Sequence, residues 1–126
     1  MIDNGNGTVT DKSTGLMWQQ ETPISLCWTD AIRFCSDMKL AGYTGWRLPT
    51  IMELKSLVNY NRCNPAIDPV YFPNTFSSFY WTSTIYAYSA THAWCVHFGD
   101  GYDYRNFKNF GLYVRAVHDG NSTGDN

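Results

Sequence analysis

Polar and apolar positions change rhythm twice along this chain. Asp3-Asn4-Gly5-Asn6-Gly7 collects residues that accept positive φ and leads into the β-prone run Thr8-Val9-Thr10. A second turn over residues 11–15 precedes Leu16-Met17-Trp18-Gln19-Gln20, so the N-terminus reads as a hairpin. Thr29-Asp30 then fits an N-cap and first helical turn. Ala31, Ile32, Phe34, Cys35 and Met38 follow at spacings that make one apolar helical face, and Ala41-Gly42 marks its end. Thr50-Ile51-Met52-Glu53 is a Thr-x-x-Glu capping box before Ile51, Leu54, Leu57 and Val58, and Pro49 excludes an earlier start. Residues 59–78 carry three prolines and no stable period, which predicts a long loop pinned by Tyr71 and Phe72. Thereafter residues 79–86, 93–98, 102–107 and 112–118 read as strands separated by Gly and Asn or Asp turns. Trp94, Val96 and Phe98 alternate with Cys95 and His97, so Cys95 and His97 are expected to point away from the buried face. Hairpin, two helices, long loop and antiparallel meander make an α+β layout. Residues 1–119 form one domain, and 120–126 a polar tail expected to fray.

Composition narrows the class. The chain has 126 residues, enough for one compact core, with 17% aromatic and only 16% charged residues. Nine basic residues against eleven acidic ones give a net charge of −2, which lacks the positive field that a nucleic-acid partner requires. No apolar run approaches the roughly 18–20 residues of a membrane span, so membrane insertion is not expected. Met1-Ile2-Asp3-Asn4 lacks the basic start of a signal peptide, so neither signal nor anchor is expected within this chain. Five Trp, nine Tyr and seven Phe are more than a small core absorbs. Tyr and Trp combine rigid apolar area with a polar handle and serve wet binding surfaces, although aromatics also favour strands.

Metal and nucleophile patterns are weak. Asp3-Asn4-Gly5-Asn6-Gly7 offers oxygens but not the twelve-residue calcium loop with its terminal Glu. The cysteines and histidines contain no close Cys-x-x-Cys or His-x-x-x-His pair, so no metal or other cofactor is expected. Cys95 and His97 lie two apart on one strand face, an arrangement open to a thiolate activated by imidazole. No oxyanion loop or third group accompanies them, and the reading is non-enzymatic.

Several words of the sequence carry a family resemblance. Asp3 to Asp11, Thr14-Gly15-Leu16-Met17-Trp18-Gln19, Gly45-Trp46-Arg47-Leu48-Pro49-Thr50 with Glu53-Leu54, Tyr80-Trp81-Thr82-Ser83-Thr84 and Val114-Arg115-Ala116-Val117 resemble the C-terminal domain of the Legionella collagen-like adhesin, in order and spacing. The resemblance implies a C-type lectin-like fold, related in shape to formylglycine-generating enzymes and to the variable proteins of diversity-generating retroelements. It also implies ligand binding on a bacterial or phage surface, or outside the cell. Trp46, Arg47, Pro49, Trp81 and Arg115 take structural roles in that reading, Arg47 by finding a carboxylate or loop carbonyls. Family members often carry Cys where this chain has Ala116, as partner to a Cys like Cys35, so that disulfide should be missing. Cys27 with Cys63, Cys35 with Cys95, and four reduced thiols all remain open. The calcium-dependent sugar motifs of lectins are absent, as is the cysteine pair of formylglycine-generating enzymes near Arg115.

The stretch between Tyr86 and Phe110 is the expected contact surface. Its candidates are Tyr86, Tyr88, His92, Cys95, His97, Asp100, Tyr102, Asp103, Tyr104, Arg105, Asn106, Lys108 and Asn109. Tyr mixed with Asn, Asp, Ser and His has the chemistry of a paratope, with aromatic anchors and short adaptable polar groups. In the retroelement-diversified proteins that the chain resembles, the varied positions occupy this stretch. The reading is a non-enzymatic module that binds a glycan or a protein, with a diversified protein receptor as the alternative. A thiol-dependent enzyme using Cys95 and His97 and an oligomerisation cap forming a trimer are the readings from other classes. Arg105 and Lys108 are the only basic residues of this surface, too few for the glycosaminoglycan binding linked with that adhesin.

Overall fold

The structure, a computed structural model, describes residues 1–120. The N-terminal hairpin forms as its turn chemistry predicts. Strands β1 (Ile2–Asp3), β2 (Thr8–Thr10) and β3 (Met17–Gln19) run antiparallel, with Val9 opposite Trp18. Gly5 and Gly7 hold φ of 75° and 88° in the first turn, a backbone region that strains other side chains. The second sheet has the order β4-β8-β5-β6-β7, from β4 (Ser25–Leu26), β5 (Phe79–Ile85), β6 (His92–His97), β7 (Asp103–Phe107) and β8 (Leu112–Tyr113).

The antiparallel meander holds for β5, β6 and β7. Beyond it the sheet is mixed: β8 meets β5 in parallel at Tyr80 and Tyr113, and the short strand β4, absent from the sequence reading, pairs with β8. The expected single strand over 112–118 is two. After β8 the chain leaves the large sheet, buries Val114, Arg115 and Ala116, and joins β3 of the small sheet as β9 (Val117–His118). A crossing of this kind is invisible to an alternation pattern, because all three crossing residues face core.

Helix α1 (Trp28–Asp37) starts earlier than the sequence reading, with Cys27 as N-cap and Thr29 inside the first turn. It ends at Asp37. Ala41 and Gly42, expected as its stop, instead take positive φ in a tight turn that bridges Leu40 to Tyr43. Helix α2 (Ile51–Lys55) carries both halves of the capping box. The Thr50 hydroxyl accepts from the Glu53 N–H at 3.2 Å, and the Glu53 carboxylate accepts from the Thr50 N–H at 2.9 Å. The helix is shorter than its apolar pattern, since Leu57 and Val58 follow in a turn.

Two cores sandwich the large sheet. On the α1 side, Cys35 and Ala31 pack with Trp46, Trp81, Ala93, Cys95, Val114 and Ala116. On the α2 side, Leu54 and Leu57 pack with Trp18, Phe72, Tyr80, Val96 and Phe98. The long loop contributes Ile67 and Phe72, both buried, as its pinning residues, with Tyr71 packed partly against them. All four cysteines are free thiols, Cys35 and Cys95 within the same core.

The residues given structural roles are clamps. Trp46 donates its indole N–H to the Tyr43 carbonyl, and Trp81 to that of Leu26. Pro49 accepts from the Ser83 N–H at 2.8 Å, which ties the start of α2 to β5. Arg47 makes a two-pronged bond to Glu53, at 2.7 and 2.8 Å, and a third contact to Asp119. Arg115 is fully buried and donates to the Gln19 and Gln20 carbonyls and to the Thr75 hydroxyl, its guanidinium stacked 4.6 Å from the Phe72 ring. Burial pulls Arg115 down to about 10. Asp119 and Gly120 are held against Arg47 and His118; the rest of the expected tail, 121–126, lies outside the described residues.

Candidate functional site

The β6–β7 hairpin forms the free flank of the large sheet. Its register places Val96 opposite Asp103, Trp94 opposite Arg105 and His92 opposite Phe107 on the α2 side. Cys95 with Tyr104 and Ala93 with Asn106 fall on the α1 side. Directly opposite residues share a face, so the strand period divides the candidates into two surfaces.

The α2-side surface is an aromatic cluster with Tyr86 at its hub. Tyr86 lies 5.4 Å from Trp94, 5.5 Å from Tyr88 and 5.9 Å from His92 by ring centroids. The Arg105 guanidinium stands 5.3 Å from the Tyr86 centroid, within reach of a cation–π attraction. His92 continues to Phe107 at 4.2 Å, and Phe107 to Phe110 at 5.3 Å. This chain of rings borders an open cleft of about 550 Å³, lined by His92, Trp94, Phe110 and every residue of β7. Tyr88 is 87% exposed beside it. The His92 Nδ1 sits 2.9 Å from the Thr91 hydroxyl, which fixes the ring's orientation.

Charge at the cleft is divided. Asp103 is paired with Lys55 of α2 at 3.0 Å, and that lysine holds the Asp103 carboxyl below the usual carboxylate range. Among the described residues no carboxylate lies within ion-pair distance of Arg105, whose guanidinium stands over an aromatic floor. The arrangement therefore presents apolar rings for stacking, one planar cation and imidazole polarity.

The remaining candidates sit elsewhere. Tyr104 packs with Phe79 and His97 on the α1 side and donates its hydroxyl to Asp100. Tyr102 stands beside Tyr60, with ring centroids 6.4 Å apart, and donates its N–H to Asp100. His97 accepts from the Gly99 N–H through Nδ1. Lys108 is held 4.4 Å above the Trp28 ring, while Asn109 lines a shallower recess of about 360 Å³ with Ala90 and Thr91. Asn106 lines the cleft but turns its amide to the Cys95 sulfur at 3.4 Å.

Cys95 requires a correction. It is wholly buried, and burial pushes its thiol up to about 11. The alternation along β6 separates two faces correctly, but both are covered, so pointing away from Val96 means pointing into the second core. Trp94, assigned to the core from sequence, is only half-buried and lines the cleft. Phe107 and Phe110 are the residues that selection by polarity passed over. Phe107 was accessible to reasoning, because it shares the period-two face of Asp103 and Arg105. Phe110 lies in the turn after β7 and had no such signal.

Among the described residues, no group of three or more His, Cys, Asp or Glu is placed to hold a metal ion. No helix among them is long and apolar enough to cross a membrane. Comparison with curated proteins finds no match. The profile of one family, described as the Lcl C-terminal domain, matches residues 7–118, from the first glycine turn through β9. That span takes in every strand but β1, both helices and the aromatic cleft, and on it the chain belongs to the Lcl C-terminal domain family.

Proposed function

We propose that this chain is a non-enzymatic, adhesin-type binding domain of C-type lectin-like fold, displayed at a cell or phage surface, that recognises a glycan or protein partner. The observation that carries the reading is the ring chain Tyr88-Tyr86-Trp94 and His92-Phe107-Phe110 bordering one open cleft beside Arg105. Aromatic faces give rigid contact area to sugar C–H groups or to apolar side chains, and Arg105 supplies directional polarity. Family membership supports an adhesin-type role. The buried, protonated thiol of Cys95 argues against thiolate chemistry with His97. The retroelement-diversified reading draws support from the same geometry, since Tyr86, Tyr88 and Arg105 project from a frame held by Trp81 and Arg115.

The test is a screen of glycans and surface proteins with the wild-type domain, repeated with Tyr88→Ala and Phe107→Ala. Ligands of the wild type should lose affinity at least about tenfold in both variants, the equivalent of one well-packed aromatic contact. Undiminished binding by both would overturn the cleft as the site. A near-identical DNA template beside the gene distinguishes the diversified receptor from a fixed one.

A further inference from the structure

The cleft has an unusual border: all five residues of β7 line it, although their side chains alternate between two faces. A cavity touched by every residue of a strand runs along the strand's open edge. β7 is the last strand of its sheet. Its backbone phase follows from the bonds at its two ends, since the His97 N–H donates to Tyr102 O at 2.9 Å and the Lys108 N–H to Thr91 O at 2.8 Å. Pairing alternates along an antiparallel ladder, so Tyr104 and Asn106 turn their main chain toward β6. Asp103, Arg105 and Phe107 turn theirs outward. The Phe107 carbonyl accepts from the Phe110 N–H, which leaves Asp103 and Arg105 with main-chain donors and acceptors that meet no partner among the described residues.

Edge strands are commonly protected by proline, by a bulge or by outward lysine. β7 contains no proline or lysine, and its ladder with β6 runs without a register shift. Its two charges are drawn back onto their own molecule, Asp103 to Lys55 and Arg105 over Tyr86. Among the described residues the edge is open and unguarded, and it is self-complementary in one register. In an antiparallel pair centred on Tyr104, Asp103 of one copy lies opposite Arg105 of the other, and the reverse pair repeats across the two-fold axis. Centring on Arg105 instead would set arginine against arginine, a repulsive pairing.

We propose that β7 pairs antiparallel with β7 of a second copy of this chain, in the register centred on Tyr104. Asp103 and Arg105 then exchange main-chain hydrogen bonds with Arg105 and Asp103 of the other copy, and their side chains form reciprocal ion pairs, Asp103 through the carboxylate oxygen that Lys55 does not hold. The interface is isologous and closed. Antiparallel pairing keeps like faces on the same side, so the two aromatic clusters lie next to each other. β7 of the second copy takes the part of the cleft that runs along the strand edge, and the aromatic rings of both copies border what remains of it.

Sedimentation equilibrium of the intact chain, wild type against Arg105→Asp, tests the register. Arg105→Asp places aspartate opposite Asp103 twice and should weaken the dimer at least about tenfold. The doubly swapped Asp103→Arg with Arg105→Asp should restore it to within about threefold. Because Asp103→Arg also faces Lys55, a second readout avoids that position: Tyr104→Cys in a Cys63→Ser background should form a covalent dimer under mild oxidation, since non-hydrogen-bonded antiparallel partners lie at disulfide range. A wild-type chain that stays monomeric at millimolar concentration, or a dimer indifferent to Arg105→Asp that gives no cross-link, overturns the proposal. Ligand binding by a strictly monomeric chain would leave the proposed function standing and sink only the pairing.

Discussion

Two arginines stack on aromatic rings in this domain, and their surroundings could hardly differ more. Arg115 is wholly buried between the sheets, over Phe72, with its two terminal guanidinium nitrogens donating to two carbonyls and a hydroxyl. Arg105 lies exposed over Tyr86 at the rim of the cleft, with no ion-pair partner among the described residues. The same planar cation closes a structure in one place and leaves it open in the other. What separates clamp from contact is the number of acceptors that the fold aims at the guanidinium, and that number is set by backbone brought from far along the chain.

The comparison can be broken by removing frame and rim residues in turn. Trp81→Ala should cost about 3–5 kcal/mol in chemical denaturation, because it empties the α1-side core and strands the Leu26 carbonyl. Arg115→Met keeps much of the volume but leaves the Gln19 and Gln20 carbonyls unpaired, and should cost about 2–3 kcal/mol. A smaller loss would show that the buried cation is no more essential than the ring beneath it.

The Glu53 clamp gives a pH signature. Arg47 holds the Glu53 carboxyl below its ordinary value of 4.5, with the Thr50 N–H assisting. A carboxyl lowered in the folded state contributes stability above its unfolded value, and that contribution disappears as pH falls through the folded one. Stability should therefore decline below about pH 4.5, and Glu53→Gln should flatten this part of the acid limb by less than about 1 kcal/mol, since the pair is partly exposed. An unchanged acid limb would assign the decline to other carboxylates. At the rim, Tyr88→Ala and Arg105→Ala should each move stability by no more than about 0.5 kcal/mol. A loss comparable to Arg115→Met would return Arg105 to the frame and erase the contrast.

Much of this division is legible in the sequence, where the signals are local. The Asn-Gly turns, the Thr50–Glu53 box and the β5–β6–β7 alternation each depend on neighbours within a few residues, and each forms as read. Failures come from distant partners. Ser25-Leu26 becomes a strand only because Leu112-Tyr113 lies beside it, and residues 112–118 split because Arg115 must reach carbonyls of the N-terminal hairpin. Cys95 misleads for a related reason: alternation sorts side chains into two faces without saying how many faces are wet. The site was half visible, through its tyrosines and Arg105, while Phe107 and Phe110 were hidden by the habit of seeking contact residues among polar ones.

The crossing from β8 to β9 also has a consequence in time. A chain leaves the ribosome N-terminus first, yet β3 finds its β9 partner, and Gln19 and Gln20 find the guanidinium that satisfies them, only after residues 112–118 have been made. Until then the large sheet lacks an interior strand, β8, and the small sheet its edge strand β9. Synthesis must therefore run nearly to the end of the domain before its two sheets are joined, and the early hairpin waits without β9, a period in which a chaperone or an export machinery has an incompletely folded chain to hold.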